Sequence, residues 1–454
     1  MEIHLPEEVV RYIFSFLEAS SLLQVSQVNK FWNSVADSEH LWRKLCLKRW
    51  GFWDFTCKCL GTQTWKQSFL HRIKKERRMA LAQPDDFIYK ETSGDFGVFE
   101  ELAYLSGKNL RIDEKEKSII CITTSKHVLY AWDVQEGIMI WSSPVQPFKM
   151  NKLTTIPQMH LAITSDFGGT IKVWNCQDRD ALADITVPSV CISLEACFSK
   201  DTPFIMVGIS AGDIYTFTVP DLTTVSHINA FEYSMNLLYC SPDKNWVFAC
   251  RTHQHVLPKV FFTESLLRPS EGSTPLSCSL SFSSCCGACW TPRKESTITL
   301  MFRKSTTRRM GFATFDITMK KTGDKTEIQA HLIGSFLLPV DMSLSLWMGI
   351  SPENLIVCES GPCLFLFTIS GLLLQQFENY QTNISLWADS LHVVTVSVDN
   401  SLHMYMWEEE GRYPYLKSCC HLAHKQHREL QLGTCSSVVR VPATYTGAGK
   451  FESS

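Results

Sequence analysis

Beyond about residue 120 the 454-residue chain keeps returning to one local pattern, a short run of β-branched and aromatic residues that ends on an aromatic side chain and a polar turn. The closing pairs are Trp132-Asp133, Trp174-Asn175, Phe217-Thr218, Phe262-Thr263, Phe315-Asp316 and Phe367-Thr368, with Tyr405 or Trp407 as the last. Successive intervals are 42, 43, 45, 53 and 52 residues, then 38 to 40. A period near 40 to 45 residues, with about four short strands in each unit, is the spacing of units set around a ring rather than of two stacked layers. Seven such units close the ring.

The strand reading rests on alternation and on punctuation. From Pro84 onward, apolar runs rich in Val, Ile, Phe, Thr and Cys are broken every few residues by Gly, Pro, Asp or Ser. Runs such as 119–122, 127–132, 170–174, 204–208 and 391–396 have strand length, and no helical run of comparable strength interrupts them.

The first 45 residues have a different period. Pro6 is suited to open a helix, and Val9, Val10, Ile13, Phe14 and Leu17 follow at helical spacing as one apolar stripe. Ser20 or Ser21 is placed to cap a second helix carrying Leu22, Leu23, Val25 and Val28, and a third apolar set comprises Phe31, Trp32, Val35, Leu41, Trp42 and Leu45. Three helices this short barely bury themselves. In residues 46–84, Trp50, Trp53, Trp65 and Phe69 are interleaved with a basic run over 71–78, which predicts a helix anchored by its aromatics and solvated on its other side. Its expected role is rigid spacing. Lys74, Lys75, Arg77 and Arg78 also satisfy a nuclear-targeting pattern, although a solvated helix face explains them more simply.

Residues 5–46, LPEEVVRYIFSFLEASSLLQVSQVNKFWNSVADSEHLWRKLC, resemble an F-box. Leu5, Pro6, Ile13, Phe14, Leu17, Leu22, Leu23, Val25, Val28, Trp32, Leu41 and Trp42 occupy the positions of its pattern. The resemblance implies a surface that docks on a Skp1-type adaptor and through it reaches cullin and RING subunits. The segments HVLYAWDVQEG, TIKVWNCQD and GFATFDI are similar to the third strand of WD40 repeats. The usual Gly-His dipeptide is missing, and the Asp six residues before the aromatic survives clearly only as Asp399. Without the polar tetrads of that family, ring stability is expected to rest on apolar contacts between blades. An F-box followed by such repeats resembles a divergent group of the F-box/WD-repeat family. The expected architecture is α+β and multidomain: a small all-α F-box (1–45), a helical linker (46–84), a degenerate all-β WD40-like propeller of about seven blades (85–440) and a tail (441–454). The family resemblance implies a non-catalytic substrate adaptor of a ubiquitin ligase; the alternative is a scaffold that assembles a complex without promoting degradation.

Charge and motifs narrow the chemistry. A formal net charge of -3 gives no global field toward nucleic acid or an anionic membrane. No stretch of about 18 apolar residues occurs and the first ten residues lack a signal-peptide pattern, so a soluble cytoplasmic or nuclear protein is expected. The 18 cysteines, scattered through apolar stretches of a chain this long, are read as reduced and buried, which leaves the Asn383 sequon without a glycosylation meaning. No nucleotide-binding, zinc-protease or nucleophile-elbow motif appears, so neither a cofactor nor catalysis is expected. Cys419, Cys420, His421, His424 and His427 have metal-like spacing but read better as a polar hairpin, and Cys285, Cys286 and Cys289 as an apolar strand beside a serine-rich loop. The remaining candidate is the turn between the runs 296–302 and 310–315. There Arg303, Lys304, Arg308 and Arg309, with hydroxyls between them, form a potential cradle for a phosphorylated or acidic substrate segment.

Overall fold

The computed structural model describes residues 5–50, 64–81, 89–90, 95–105, 111–112, 115–116, 118–134, 136–199, 202–252, 255–268, 274–292, 294, 296–322, 325–340, 342, 347–378, 383–388, 392–397, 401–408, 413–422 and 441–442. The chain divides into two units, Met1–Ala82 and Gln83–Ser454.

In the first unit, Pro6 precedes helix α1 (Glu7–Phe14), whose opening turn carries Glu7 and Glu8. Those charges oppose the positive end of the helix dipole. Helix α2 (Ala19–Val25) begins before the serines expected to cap it: Glu18 is the N-cap, and Ser20 and Ser21 lie inside the first turn. Asn29 caps helix α3 (Lys30–Ala36), its Oδ1 accepting the Trp32 backbone N–H at 2.8 Å. The third apolar set then divides, because Asp37 leaves the helical region at φ -85° and ψ 1° and a separate helix α4 spans Glu39–Trp50. Helix α5 (Trp65–Ala80) follows.

Helix α5 is more than a spacer. Its Trp65 and Phe69 lie in one core with Val10, Phe14, Leu22, Val35, Leu41, Trp42 and Cys46. The Trp42 and Phe69 rings meet edge to face at 5.4 Å, and Trp42 Nε1 donates to the Ala36 carbonyl at 2.7 Å. The Trp65 backbone N–H donates to Glu39 Oε2 at 3.0 Å, and Arg49 Nε and Nη2 hold buried Glu76 Oε2 at 3.1 and 3.0 Å. A core too small for four short helices thus gains two large aromatic side chains from the fifth. Trp53 lies outside the described residues.

The second unit is a β-propeller of seven four-stranded antiparallel sheets, each built from four strands consecutive within that sheet. Blade 1 comprises Phe99–Tyr104, Ile119–Thr124, Leu129–Asp133 and Ile138–Ser142; blade 2, Met150–Ile156, Leu161–Asp166, Thr170–Trp174 and Ala183–Thr186. Blade 3 comprises Cys191–Ser199, Thr202–Ile209, Asp213–Thr218 and Thr224–Asn229; blade 4, Leu237–Cys240, Trp246–Cys250, Lys259–Phe262 and Ser277–Ser279. Blade 5 comprises Cys285–Trp290, Thr297–Arg303, Met310–Thr322 and Lys325–Leu337; blade 6, Met348–Ile350, Ile356–Ser360, Cys363–Phe367 and Leu373–Glu378. Blade 7 comprises Asn383–Ala388, His392–Ser397, Leu402–Glu408 and Tyr415–Leu422.

Every sequence-predicted aromatic lies on a third strand, but two positions needed the structure. In blade 4 the inward position belongs to Phe261, which pairs with Val247 and is buried against blade 3, whereas Phe262 points to the opposite face. A one-residue shift in a strand exchanges faces, so the register had to be set by pairing. In blade 7 Tyr405 is the equivalent of the earlier aromatics, because it follows a bulge between Met404 and Tyr405, as Phe315 and Phe367 follow bulges in their own blades. Trp407 lies two residues on, on the same face. The long intervals also have local causes: a short helix, Thr263–Leu267, lies between the third and fourth strands of blade 4, and 13-residue strands form the outer hairpin of blade 5.

Apolar clusters span each consecutive boundary from blades 1 and 2 to blades 6 and 7. Blade 2 keeps the polar contact of a well-formed repeat: Trp174 Nε1 donates to Thr164 Oγ1 at 2.9 Å. The place of Thr164 is taken by Ile122, Val207, Ala249, Leu300 and Cys358 in blades 1, 3, 4, 5 and 6. Among the described residues Trp132 Nε1 accordingly finds no acceptor.

Trp174 packs against Cys121, Ala131 and Met150. Trp174→Ala should cost about 3–5 kcal/mol of unfolding free energy. Trp174→Phe should cost less, because it loses the Thr164 bond while keeping most of the packing. Urea melts of the two variants give both values, and a Trp174→Ala midpoint equal to wild type would contradict the assigned packing.

Candidate binding surfaces

Helix α1 shows water a second apolar stripe as well as its buried one. Val10 and Phe14 face the core, while Val9 (42% exposed), Tyr12, Ile13 (46%) and, just past the helix, Phe16 (70%) face outward with Leu5. Val28 and Phe31 are exposed near the start of α3. Tyr12 and Phe16 meet edge to face at 5.0 Å, and Lys44 Nζ lies 5.9 Å from the Phe16 ring. Two turns of helix presenting this much apolar surface to solvent form one contiguous apolar face rather than scattered exposure.

The twelve sequence-predicted adaptor residues are divided by burial. Leu5, Pro6, Ile13 and Val28 are exposed. Leu17, Leu23, Val25 and Trp32 are half-buried against the core, and Phe14, Leu22, Leu41 and Trp42 are inside it. Val9, Tyr12, Phe16 and Phe31 join the outer face without being among those twelve; for the first three the signal was a second set at positions 9, 12, 13 and 16, offset from the first around the same helix.

In the propeller, the basic turn joins the second and third strands of blade 5, as the sequence predicts, with Arg303 paired to Met310. The turn does not gather its four cations. Arg309 Nε and Nη2 donate to the Leu338 carbonyl at 3.0 and 2.5 Å, and Arg303 Nε donates to the Arg308 carbonyl at 3.3 Å. Backbone bonds between Lys304 and Arg309 (2.8 Å) and between Arg308 and Lys304 (2.7 Å) close the turn. Arg309 is thereby committed to holding the loop, and Lys304 and Arg308 are its exposed cations.

The metal-like spacings do not converge. Cys419, Cys420 and His421 lie along the fourth strand of blade 7, where His421 stacks on cross-strand His403 at 4.2 Å; His424 and His427 are outside the described residues. Cys285 faces blade 4, whereas Cys286 and Cys289 pack toward blade 6. Among the described residues no group of His, Cys, Asp and Glu is arranged to hold a metal ion. Among them also, no helix is long and apolar enough to cross a membrane.

One ionisable residue escaped the sequence reading. Glu359, in the second strand of blade 6, follows the buried run Ile356, Val357 and Cys358 and is itself 4% exposed. Among the described residues its Oε2 has no hydrogen-bond partner. Burial pushes its carboxyl up to about 7.

An F-box-like family model matches residues 3–48. The chain is 57% identical over 440 residues to F-box/WD repeat-containing protein 12 of Homo sapiens, covering 97% of this chain and 94% of that protein. It is 42% identical over 424 residues to F-box/WD repeat-containing protein 15 of Mus musculus, covering 93% and 91%. Among solved structures, the beta-propeller domain of Cps50 (Swd1) from Myceliophteria thermophila matches with a TM-score of 0.47 at 9% identity, over 68% of this chain and 96% of that one.

Glu359 makes the propeller sensitive to pH. Its carboxyl titrates near 7 when folded and near 4.5 when unfolded, so between those values the folded state holds the extra proton. Its contribution to stability therefore falls as pH rises from about 4.5 to 7 and is constant above. Glu359→Gln should raise the thermal midpoint at pH 8 and flatten that slope. Parallel slopes for variant and wild type across this range would assign the pH dependence to other groups.

Proposed function

The chain belongs to the F-box/WD repeat-containing proteins, and from that premise we propose that it is the substrate-recognition subunit of a cullin-RING ubiquitin ligase. In this reading the helical unit binds a Skp1-type adaptor, the propeller holds a protein substrate, and ubiquitin transfer is carried out elsewhere in the complex. The chain contributes positioning: a substrate lysine held near an activated thioester reacts at a raised effective concentration. The observation that carries the proposal is the outward apolar stripe of helix α1 on the unit that the F-box-like family model matches.

Burial divides the proposed roles. Val9, Tyr12, Ile13, Phe16 and Leu5 are proposed to touch the adaptor, together with Val28 and Phe31, while buried Phe14, Leu22, Leu41 and Trp42 hold the helices that present them. On the propeller, Lys304 and Arg308 are proposed to meet acidic or phosphorylated substrate, with Arg309 fixing the turn.

Burying one aliphatic side chain is worth about 1.5–3 kcal/mol. Replacing Val9 and Ile13 together with Asp should then weaken adaptor binding by a factor of about 100 or more while leaving the far-ultraviolet circular dichroism unchanged. Phe14→Ala should instead destabilise the helical unit itself, by about 3–5 kcal/mol. Titration of purified chain with recombinant adaptor measures the first effect and urea melts the second; wild-type affinity in the double variant would remove the outward stripe from the interface.

Lys304→Glu with Arg308→Glu should reduce recovery of substrates from cells in which the proteasome is blocked, with adaptor binding intact and with wild-type capture falling as salt is added. Undiminished recovery would place substrate binding elsewhere on the propeller. Accumulation of the same substrates on depletion of the chain separates a degradative ligase from a non-degradative scaffold.

A further inference from the structure

Charge is distributed unevenly along the chain. Residues 40–82 hold eleven Lys and Arg against two Asp and Glu, whereas residues 1–39 hold two against six and residues 83–454 hold 30 against 38. A chain whose formal net charge is only -3 thus concentrates its positive charge in the stretch that forms helices α4 and α5. Asymmetry of this kind bears on association with an anionic partner, not on the fold.

Little of that charge is neutralised at the surface. Of the two acidic residues, Asp54 lies outside the described residues and Glu76 is buried and held by Arg49. Lys66 is paired with Asp37 at 2.6 Å. Arg43, Lys44 and Lys48 of α4 and Lys74, Arg77 and Arg78 of α5 are exposed, and among the described residues none of the six meets a carboxylate. The two helices run side by side in the same direction, since Glu39 meets Trp65, Trp42 meets Phe69 and Arg49 meets Glu76. Lys48, Lys74, Arg77 and Arg78 therefore lie toward the same end of the pair. The negative ends of the helix dipoles account for Lys48, Arg77 and Arg78, which are in the last turns. They do not account for Arg43, Lys44 and Lys74, nor for the absent carboxylates, because a merely solvated helix face alternates the sign of its charges. Lys44 and Lys48, Lys74 and Arg77, and Lys74 and Arg78 are like charges three or four residues apart, an arrangement that works against a helix. Trp65 and Phe69 anchor α5 in the core, so the repelling charges are held on a fixed frame.

We propose that the basic face of α4 and α5 binds an acidic segment of a protein partner, centred on Lys48, Lys74, Arg77 and Arg78 and extended along α4 by Arg43 and Lys44. Carboxylates brought against this face replace repulsion with attraction, and an arginine can grip one bidentately. Two observations favour such a segment over a nucleic acid. Trp42, Trp65 and Phe69, aromatic side chains of the two helices, are buried in the core and offer no surface on which bases could stack. A long polyanion would also meet the remainder of the chain, where acidic residues are in excess. A lipid surface fits less well, because among the described residues the outer stripe of α5 over 67–78 exposes Leu70 as its one large apolar side chain, too little to insert.

The test uses the full chain carrying Lys304→Glu and Arg308→Glu, so that the propeller turn does not compete. Fluorescence anisotropy of a fluorescein-labelled poly-glutamate peptide should show saturable binding that weakens as salt is added. Adding Lys74→Glu, Arg77→Glu and Arg78→Glu together should lower that affinity about tenfold or more, and the same three positions changed to Gln should lower it by an intermediate factor. Glu and Gln both favour helix, so the far-ultraviolet circular dichroism should not change, and the Gln variant decides the matter if the Glu variant folds poorly. Adaptor affinity, measured in parallel, should be unchanged, because Lys44, which reaches the Phe16 ring, is kept; the result therefore does not turn on the α1 stripe. Equal peptide affinity in the Gln variant and its parent would overturn the proposal. So would tighter binding of the parent to a DNA duplex of equal charge, or to phosphatidylserine vesicles, than to the peptide.

Discussion

The propeller depends on one repeated contact: the aromatic side chain on the third strand of a blade is buried against the blade before it. Trp174 faces blade 1, Phe217 blade 2, Phe261 blade 3, Phe315 blade 4, Phe367 blade 5 and Tyr405 blade 6. A twisted four-stranded sheet has two apolar faces and cannot hide either alone, so each blade is stable only while both neighbours are in place. That coupling explains how the polar positions of the repeat could be lost. Once Ile122, Val207, Ala249, Leu300 and Cys358 stand where blade 2 keeps Thr164, each boundary gains apolar area and loses a hydrogen bond whose net worth is about 1 kcal/mol.

This dependence also explains what was legible in the sequence. The spacing of the strand-end aromatics reveals the ring, because the contact they make recurs once per blade. It fails by one residue at Phe262, since two adjacent phenylalanines satisfy the same pattern and only pairing with Val247 shows that Phe261 is the inward one. Glu359 stays hidden for a related reason: an acidic residue ending an apolar run reads as the start of a solvated turn, and its burial is a matter of tertiary packing that periodicity along a single strand does not report.

The helical unit was legible to a different depth. Its apolar spacing marks helices, but the stripe on α1 mixes residues of two faces: Val10 and Phe14 point to the core, while Val9 and Ile13, one position before each, point to water. Only the packing partners separate them. The most informative partners lie beyond the recognisable motif, in Trp65 and Phe69 of α5, which cover the side of Trp42 that the first four helices leave open. With α5 supplying that cover, α1 is relieved of completing the core with its second stripe, which stays exposed, as the proposed adaptor contact requires.

In the proposed role, binding specificity on the propeller would reside outside the contacts that hold the blades together. A change at a boundary position disturbs two blades at once, whereas a turn joining the second and third strands has no such duty. The blade 5 turn shows how the two demands are divided within seven residues. Arg309 spends its guanidinium on the Leu338 carbonyl, fixing the turn to the connection that leads toward blade 6, and Arg303 braces the Arg308 carbonyl. Lys304 and Arg308 are left with their charges in water, on a backbone that those bonds hold in place. Cations on an ordered turn lose less conformational entropy on meeting an anion than cations on a loose one. The two arginines that contribute no free charge to that surface are therefore part of how it would bind.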